Sequence, residues 1–567
     1  MKHANEPQNM SRRAINKKKK RIKTIFLTII AIIVLGIIAI VVNEYIILGK
    51  NKTTNLIINN KNVTENLKKD ILIQSGEIYI SKQDLGNFFD KYIYEDTETE
   101  KVITTYNKKI AEIGFEKDII NINGSEKSTY AHAIKQNDTT YLPIEELKDV
   151  YDIEISYKEG SKALIIDSTS RKQEKAVASS NVAVKSSTKF ISKTVDRLKK
   201  GEIVILISES DGYSKIRTEN GKIGYVKSKK ITNKVTVRQD MEEEKQIEGK
   251  VNLVWDYYSQ VATAPDRTGT TIDGVNVVSP AFFSIDKNGE LVENIGTRGQ
   301  AYIEWVRSNN CKLWPMVQNS GEGMLSVTSK IMNSYEKRKE LIESIINACI
   351  KYKLDGINLD FENMRKEDKD LYSRFIIELE PRMKELGLIL SVDVTAPDGG
   401  DTWSLCFDRH VIGDVADYII FMAYDEYSDS STKAGTTAGY DWVELGLKKF
   451  ITTEEIDSQK IILAVPLYTR LWTEDSSGKI IKRSIVSMKD IDDTIPNDVE
   501  RKWDENLKQY YVEYKNENNT NKMWIEDTKS LEAKASLVSQ YKLGGIAAWE
   551  KGMETDEVWQ IFKNALE

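Results

Sequence analysis

Apolar and polar positions alternate along Asp355-Gly-Ile-Asn-Leu-Asp-Phe-Glu362. A period of two marks a β-strand. Successive side chains on a strand point to opposite faces, so Ile357, Leu359 and Phe361 pack on one side while Asn358, Asp360 and Glu362 line the other. Two carboxylates and an amide on an inner face are costly to bury unless they do chemistry. For this octet alone the alternative is a half-exposed strand with a polar solvent face.

The rest of the pattern decides between them. From residue 249 onward, eight strand-like runs alternate with helical patterns: Asn252-Leu-Val-Trp, Val275-Asn-Val-Val-Ser, Lys312-Leu-Trp-Pro-Met-Val, 356–362, 388–396, 418–424, 460–468 and Gly545-Ile-Ala-Ala-Trp549. Between them lie amphipathic stretches; in 371–386, Leu371, Phe375, Leu379, Met383 and Leu386 mark one helical face. Eight β/α units predict a (β/α)8 barrel, an α/β fold whose active site lies at the C-terminal ends of its strands. Glu362, Asp393, Tyr424 and Trp549 fall at such ends.

Upstream the pattern changes three times. Residues 25–42 are eighteen uncharged, almost wholly apolar positions behind a basic block. As a helix they span about 27 Å, enough for a bilayer core. The basic flank predicts a cytoplasmic N-terminus and an extracytoplasmic remainder. A cleaved signal peptide is the rival, but the run is long for one and no small-x-small site precedes Asn43-Glu-Tyr, which favours an uncleaved transmembrane anchor over 25–48. Residues 54–168 contain an internal repeat: Ile78-Tyr-Ile-Ser-Lys-Gln-Asp-Leu is echoed 62 residues later by Thr140-Tyr-Leu-Pro-Ile-Glu-Glu-Leu. Each copy predicts a strand, a short helix and paired strands. The pattern resembles the copper amine oxidase N-terminal domain, a small α+β module. With one histidine and no cysteine it implies no copper, and it reads as a spacer or wall-contact module. After a Ser/Ala/Lys-rich linker at about 168–180, residues 181–232 carry short alternating strands with Asp211-Gly and Asn220-Gly turns, which suit a five-stranded all-β barrel. This stretch resembles a bacterial SH3 domain, which implies cell-wall peptide as a partner. A charged linker at about 233–247 leads into the barrel, 249–567.

Composition narrows the chemistry. Hydrophobic residues make up 40% and charged residues 30% of 567 positions, so most of the chain is expected to be globular and multidomain. Cys311, Cys349 and Cys406 supply neither a disulfide framework nor a metal-type spacing, and three scattered histidines argue against a zinc enzyme. No cofactor is expected. The formal charge of −6 is uneven: residues 1–24 hold nine Lys/Arg against Glu6 alone, so the remainder is strongly acidic and nucleic acid is not an expected partner.

The strand-four octet resembles the DGxDxDxE signature of glycoside hydrolase family 18, the chitinase-like barrels. Met422-Ala-Tyr-Asp425 is similar to that family's strand-six motif, and Trp549 in Gly544-Gly-Ile-Ala-Ala-Trp to its strand-eight tryptophan. The resemblance covers 249–567. It implies substrate-assisted retaining hydrolysis at N-acetylglucosamine, in which the substrate's own acetamide attacks the anomeric carbon. Glu362 is then the acid, Asp360 orients the acetamide N–H, and Tyr424 donates to the acetamide oxygen. Asn358, Met422, Asp425 and Trp549 are expected to face substrate, and Tyr468-Thr-Arg-Leu-Trp472 adds Arg470 and Trp472, for which packing is the alternative. The polar insertion at 473–527, which the resemblance implies is a small α+β wall beside the groove, carries Tyr510, Tyr511 and Trp524 as further stacking candidates, for which packing is equally the alternative. Asn358 departs from the Asp that many chitinases carry there; with Asp355-Gly it resembles the spore cortex-lytic and peptidoglycan N-acetylglucosaminidase branch. Peptidoglycan is therefore the expected substrate, chitin the same-class alternative. An inactive sugar-binding protein is the rival from another class, but such members usually lose the acid, and here Glu362, Asp360 and Tyr424 are all present.

Overall fold

The computed structural model describes residues 17–36, 38, 54–240, 247–259, 263–397 and 399–567. These fall into two compact units, one within Met1–Asp84 and Gln136–Met241, the other within Leu85–Lys135 and Glu242–Glu567.

The second unit is organised around a ring of eight parallel strands: β1 (Val251–Asp256), β2 (Val277–Pro280), β3 (Lys312–Leu313 and Met316–Gln318), β4 (Gly356–Asp360), β5 (Ile389–Val394), β6 (Tyr418–Met422), β7 (Ile461–Pro466) and β8 (Gly545–Trp549). Each pairs with the next, and β8 closes onto β1 through Val251↔Gly545 and Leu253↔Ala547. All eight predicted runs are strands. The octet ends its pairing earlier than its alternation implies, because β4 stops at Asp360 and Phe361-Glu362 continue into the loop above the ring.

The two faces of β4 separate as the alternation requires. Ile357, Leu359 and Phe361 join the layer between strands and helices, where Phe361 stacks on Phe375 at 6.0 Å between centroids. Trp255, Trp314, Met316, Ile420 and Ile462 fill the ring interior. Asp355 turns away from the ring mouth: its carboxylate accepts the Leu313 N–H at 3.0 Å and pairs with Lys312 at 3.1 Å. Gly356 follows because a Cβ there would lie 2.5 Å from the Ile389 carbonyl oxygen. Helices α1 (Tyr335–Tyr352) and α2 (Lys369–Glu385) flank β4. In α2, Phe375, Leu379 and Met383 are buried as the helical stripe predicts. Leu386 lies beyond the helix end and is exposed.

A five-stranded antiparallel sheet over 94–128 belongs to the same unit. Tyr94 donates its hydroxyl to Glu378 of α2 at 2.7 Å, and Lys101 and Lys339 of α1 both pair with Glu112. Sequence periodicity reads 54–168 as one module. Its middle third packs on the barrel, where these hairpins bury polar side chains against α1 and α2.

In the first unit the two repeat copies meet. Their leading strands pair antiparallel, with Leu142 opposite Ile80 and Tyr141 opposite Ser81. A seven-stranded sheet follows. It contains the strands expected over 181–232 and two more, Gln173–Ala178 and Ile231–Arg238, which pair with each other. Both segments lie in stretches whose polar content reads as linker, and that content masks the alternation that buries Ala176 and Ala178.

Residues 17–36 are helical with exposed side chains. The rest of the apolar run expected to anchor the chain, residue 38 apart, lies outside the described residues. Among the described residues, no helix is long and apolar enough to cross a membrane.

Candidate active site

Carboxyl groups converge at the C-terminal mouth of the ring. Asp360 and Glu362, two apart on the inner face of β4 and its extension, share a side-chain hydrogen bond in which the neutral Glu362 O–H donates to Asp360. Burial, then the charge of Asp360 and that hydrogen bond, hold Glu362 well above the usual carboxylate range. Burial and the charge of Asp393 push Asp360 up to about 7. Asp393, on β5, is itself raised by burial, and the Asn358 hydrogen bond offsets part of that rise. The arrangement keeps a carboxylic acid protonated at neutral pH beside a carboxylate able to ionise there, the pattern of a general acid and its stabilising partner.

The neighbouring strands hold this pair in place. Gln318 stands opposite Asp360 across the β3–β4 pairing, and its buried Nε2 has no partner; Asp360 Oδ1 is likewise buried and unpaired. Asn319, one residue beyond β3, accepts the Glu362 and Asn363 backbone N–H groups at 3.0 and 3.2 Å. Its own amide donates to Thr328 and to the Asn363 carbonyl. Tyr424, two residues past β6, is partly buried, and burial with the charges of Asp393, Glu362 and Asp360 keeps its phenol protonated. The polar groups left open at the mouth thus include an acid, an anion and an amide donor, with the phenol beside them.

An aromatic series continues the site on the β8–β1 side. Trp549 is half-buried at the tip of β8. It packs on the buried Trp255 at 5.8 Å and on the exposed Tyr257 at 5.6 Å between centroids.

The other expected site residues divide into two groups. Asp425 lies beside the carboxyl cluster and acts on Glu362. It has a left-handed backbone, and its Oδ1 accepts from Tyr468 at 2.7 Å and from Arg470 at 3.0 Å. Met422 is buried at the end of β6 below Tyr424. Three residues expected to contact substrate are closed off from it. Asn358 is fully buried beneath Asp360 and bonded to Trp255, Ser391 and Asp393. Arg470 is buried by ion pairs with Asp425 and Asp429, so it orients a loop rather than a sugar. Trp472 is fully buried, its indole N–H held by the Gly435 carbonyl at 2.8 Å. The loop following β6 closes over the strand that carries Arg470 and Trp472, whereas Asn358 is enclosed by β1 and β5 inside the ring.

The insertion is a five-stranded antiparallel sheet that begins with Tyr468–Glu474. Tyr511 and Trp524 pack together on one face at 4.9 Å, whereas Tyr510 sits on the other against Trp503 and Lys529. Asn319, Trp255, Tyr257 and Asp393 were not assigned roles from the pattern. The signal that finds them is their place at or just beyond the C-terminal end of a ring strand.

Among the described residues no group of His, Cys, Asp and Glu is disposed to hold a metal ion.

Comparison with known proteins agrees with this geometry. The profile of glycosyl hydrolases family 18 matches residues 253–554, and that of the copper amine oxidase N-terminal domain matches 44–166. A glycosylase of Bacillus subtilis, YvbX, is 25% identical over 297 residues, covering 51% of this chain and 84% of the relative. The cortical fragment-lytic enzyme of the same organism is 24% identical over 338 residues, 58% of this chain and 75% of the relative. The solved spore cortex-lytic enzyme SleL of Bacillus megaterium aligns with 19% identity and a TM-score of 0.49, over 65% of this chain and 89% of that one.

Proposed function

The chain belongs to glycosyl hydrolases family 18, and from that premise we propose that it cleaves β-1,4 bonds after N-acetylglucosamine in peptidoglycan, with retention, assisted by the substrate's acetamide. The observation that carries this reading is the hydrogen-bonded Glu362–Asp360 pair, both raised, at the mouth of the ring. Glu362 protonates the leaving oxygen. Asp360 accepts the acetamide N–H and stabilises the positive charge that forms as its oxygen attacks the anomeric carbon. The Tyr424 hydroxyl donates to that oxygen before attack, and Trp549 with Tyr257 forms an apolar platform under the sugar. Asp425 binds a sugar hydroxyl from beside the acid.

Three features support the cell wall as target. The chain is related to a cortical fragment-lytic enzyme. The basic all-β stretch at 181–232, read as an SH3-like module, suits an anionic wall and its peptides. The basic block before the apolar run at 25–42 suits a single-pass anchor with the barrel extracytoplasmic.

The test uses the chain from residue 54 onward, because residues 94–128 pack on the barrel, together with its Glu362→Gln variant. Each is incubated with peptidoglycan and with chito-oligosaccharides, and new reducing ends are identified by mass spectrometry. N-acetylglucosamine reducing ends from peptidoglycan, absent with the variant, are expected. Product from neither polymer overturns the enzyme reading; cleavage of chitin alone overturns the wall assignment.

A further inference from the structure

Below the acid pair lies a second buried carboxyl whose position is set from three strands. Pairing of β4 with β5 places Asn358 opposite Ser391 and Leu359 opposite Val392, so Asp393 is the inward residue of β5 at the level of Asp360. Both carboxyls are buried, Asp393 more completely. Asn358 cannot hold a proton, but its orientation is determined. The Trp255 indole N–H, which can only donate, bonds Asn358 Oδ1 at 2.8 Å. The amide NH2 must therefore face β5, where it donates to Ser391 Oγ at 3.2 Å and Asp393 Oδ1 at 2.7 Å. That leaves only Asp393 Oδ2 to carry a proton.

The groups bearing on this pair are Glu362 beyond β4, Tyr424 beyond β6, and Tyr372 of α2, whose hydroxyl is buried and unpaired. All three are acids that become negative on ionisation, so none offsets a second negative charge. Asp425 acts on the cluster only through Glu362. Adjacent buried carboxyls without a cation do not both ionise. The negative charge belongs on Asp360, which is nearer the mouth and accepts the Glu362 O–H.

We propose that Asp393 is a positioning residue for Asp360: locked by the Trp255–Asn358 relay, it retains a proton on Oδ2 and steadies the Asp360 anion that receives the substrate's acetamide. Position 358 holds an amide, and the neighbouring strand supplies the carboxyl. The inference rests on the hydrolase reading above for the role of Asp360, although the proton count itself does not depend on turnover.

Asp393→Asn reproduces the protonated state, because its carbonyl accepts from Asn358 and its NH2 takes the place of the protonated Oδ2. Asp393→Leu removes the donor at similar volume. For the chain from residue 54, the Asn variant is expected to keep kcat within about threefold at the wild-type optimum and to extend the alkaline limb of the pH profile by about one unit. The Leu variant is expected to lose about 100-fold in kcat with KM nearly unchanged. Melting temperature gives a readout free of activity: wild type loses stability as pH climbs from about 4 until the pair's proton leaves, and Asp393→Asn suppresses that loss. An Asn variant with the wild-type alkaline limb and the wild-type melting profile overturns the proposal, as does a folded Leu variant with wild-type kcat. If the chain has no glycosidase activity, the hydrolase reading fails and the melting comparison still decides the proton's place. If Leu fails to fold, the Asn variant decides alone.

Discussion

Asn319 holds Glu362 from the adjacent strand: its Oδ1 accepts the Glu362 N–H at 3.0 Å while its amide is anchored on Thr328 at 2.9 Å. The general acid stands two residues past the last paired position of β4, so no ladder bond fixes its backbone there. The side chain of Asn319 replaces that bond. Asn319→Ala is expected to lower kcat about 10- to 100-fold with a small change in KM, because a slight displacement of the acid costs proton transfer more than binding. Steady-state kinetics on a soluble oligosaccharide checks this; an unchanged kcat would refute it.

Asp360 carries an unfavourable charge in the folded chain. Its pKa rises from 3.8 to about 7, mainly through burial and then the charge of Asp393. For a raised carboxyl, the stability it contributes is complete below the unfolded value and is lost as pH climbs from about 4 through 7. Asp360→Asn is therefore expected to abolish turnover yet melt higher than wild type at about pH 8, by up to a few kcal/mol, with the gain vanishing near pH 4. Thermal unfolding across that range reads the difference directly. A lower melting point at pH 8 would contradict it.

Arg338 and Glu378 form a fully buried ion pair between α1 and α2, with two guanidinium–carboxylate contacts at 2.8 and 2.9 Å. Tyr94 completes it, donating to Glu378 and accepting from Arg338 at 3.0 Å. Glu378→Ala leaves a buried cation unpaired and is expected to destabilise the unit by about 3–5 kcal/mol. Tyr94→Phe is expected to cost about 1–2 kcal/mol. Urea unfolding of both variants tests the pair, and equal small losses would show that water already solvates it.

Trp549 and Tyr257 present an aromatic surface backed by Trp255. Tyr257 is 41% exposed, so its removal leaves the core intact. Tyr257→Ala is expected to raise KM about tenfold while leaving the melting temperature within about 1 °C, a loss of contact area worth roughly 1.4 kcal/mol. Kinetics paired with calorimetry separates binding from folding here.

Much of the barrel was legible because its signals are local. Alternation over two residues assigns a face without knowledge of the partner, and that placed Ile357 and Leu359 outward and Asp360 inward. The residues misread are those whose environment comes from elsewhere in the chain. Trp472 shares a strand face with Arg470, yet a loop about forty residues earlier, carrying Asp425, Asp429 and Gly435, closes over both. Leu386 keeps the helical spacing but lies one residue beyond the helix and is exposed. Gln173–Ala178 had the composition of a linker until a partner strand, Ile231–Arg238, was available to pair with it.

From the sequence alone came the eight strands, the inward carboxyls at their ends and the family they indicate, since periodicity and short motifs are properties of neighbouring residues. The tertiary structure decided which groups act on one another. Register set Asp393 beside Asp360 and Gln318 across from it, the Trp255 indole oriented Asn358, and Asn319 reached the acid's backbone. Charge, proton location and access depend on distances between strands that are far apart in the chain, and those distances exist only once the ring closes.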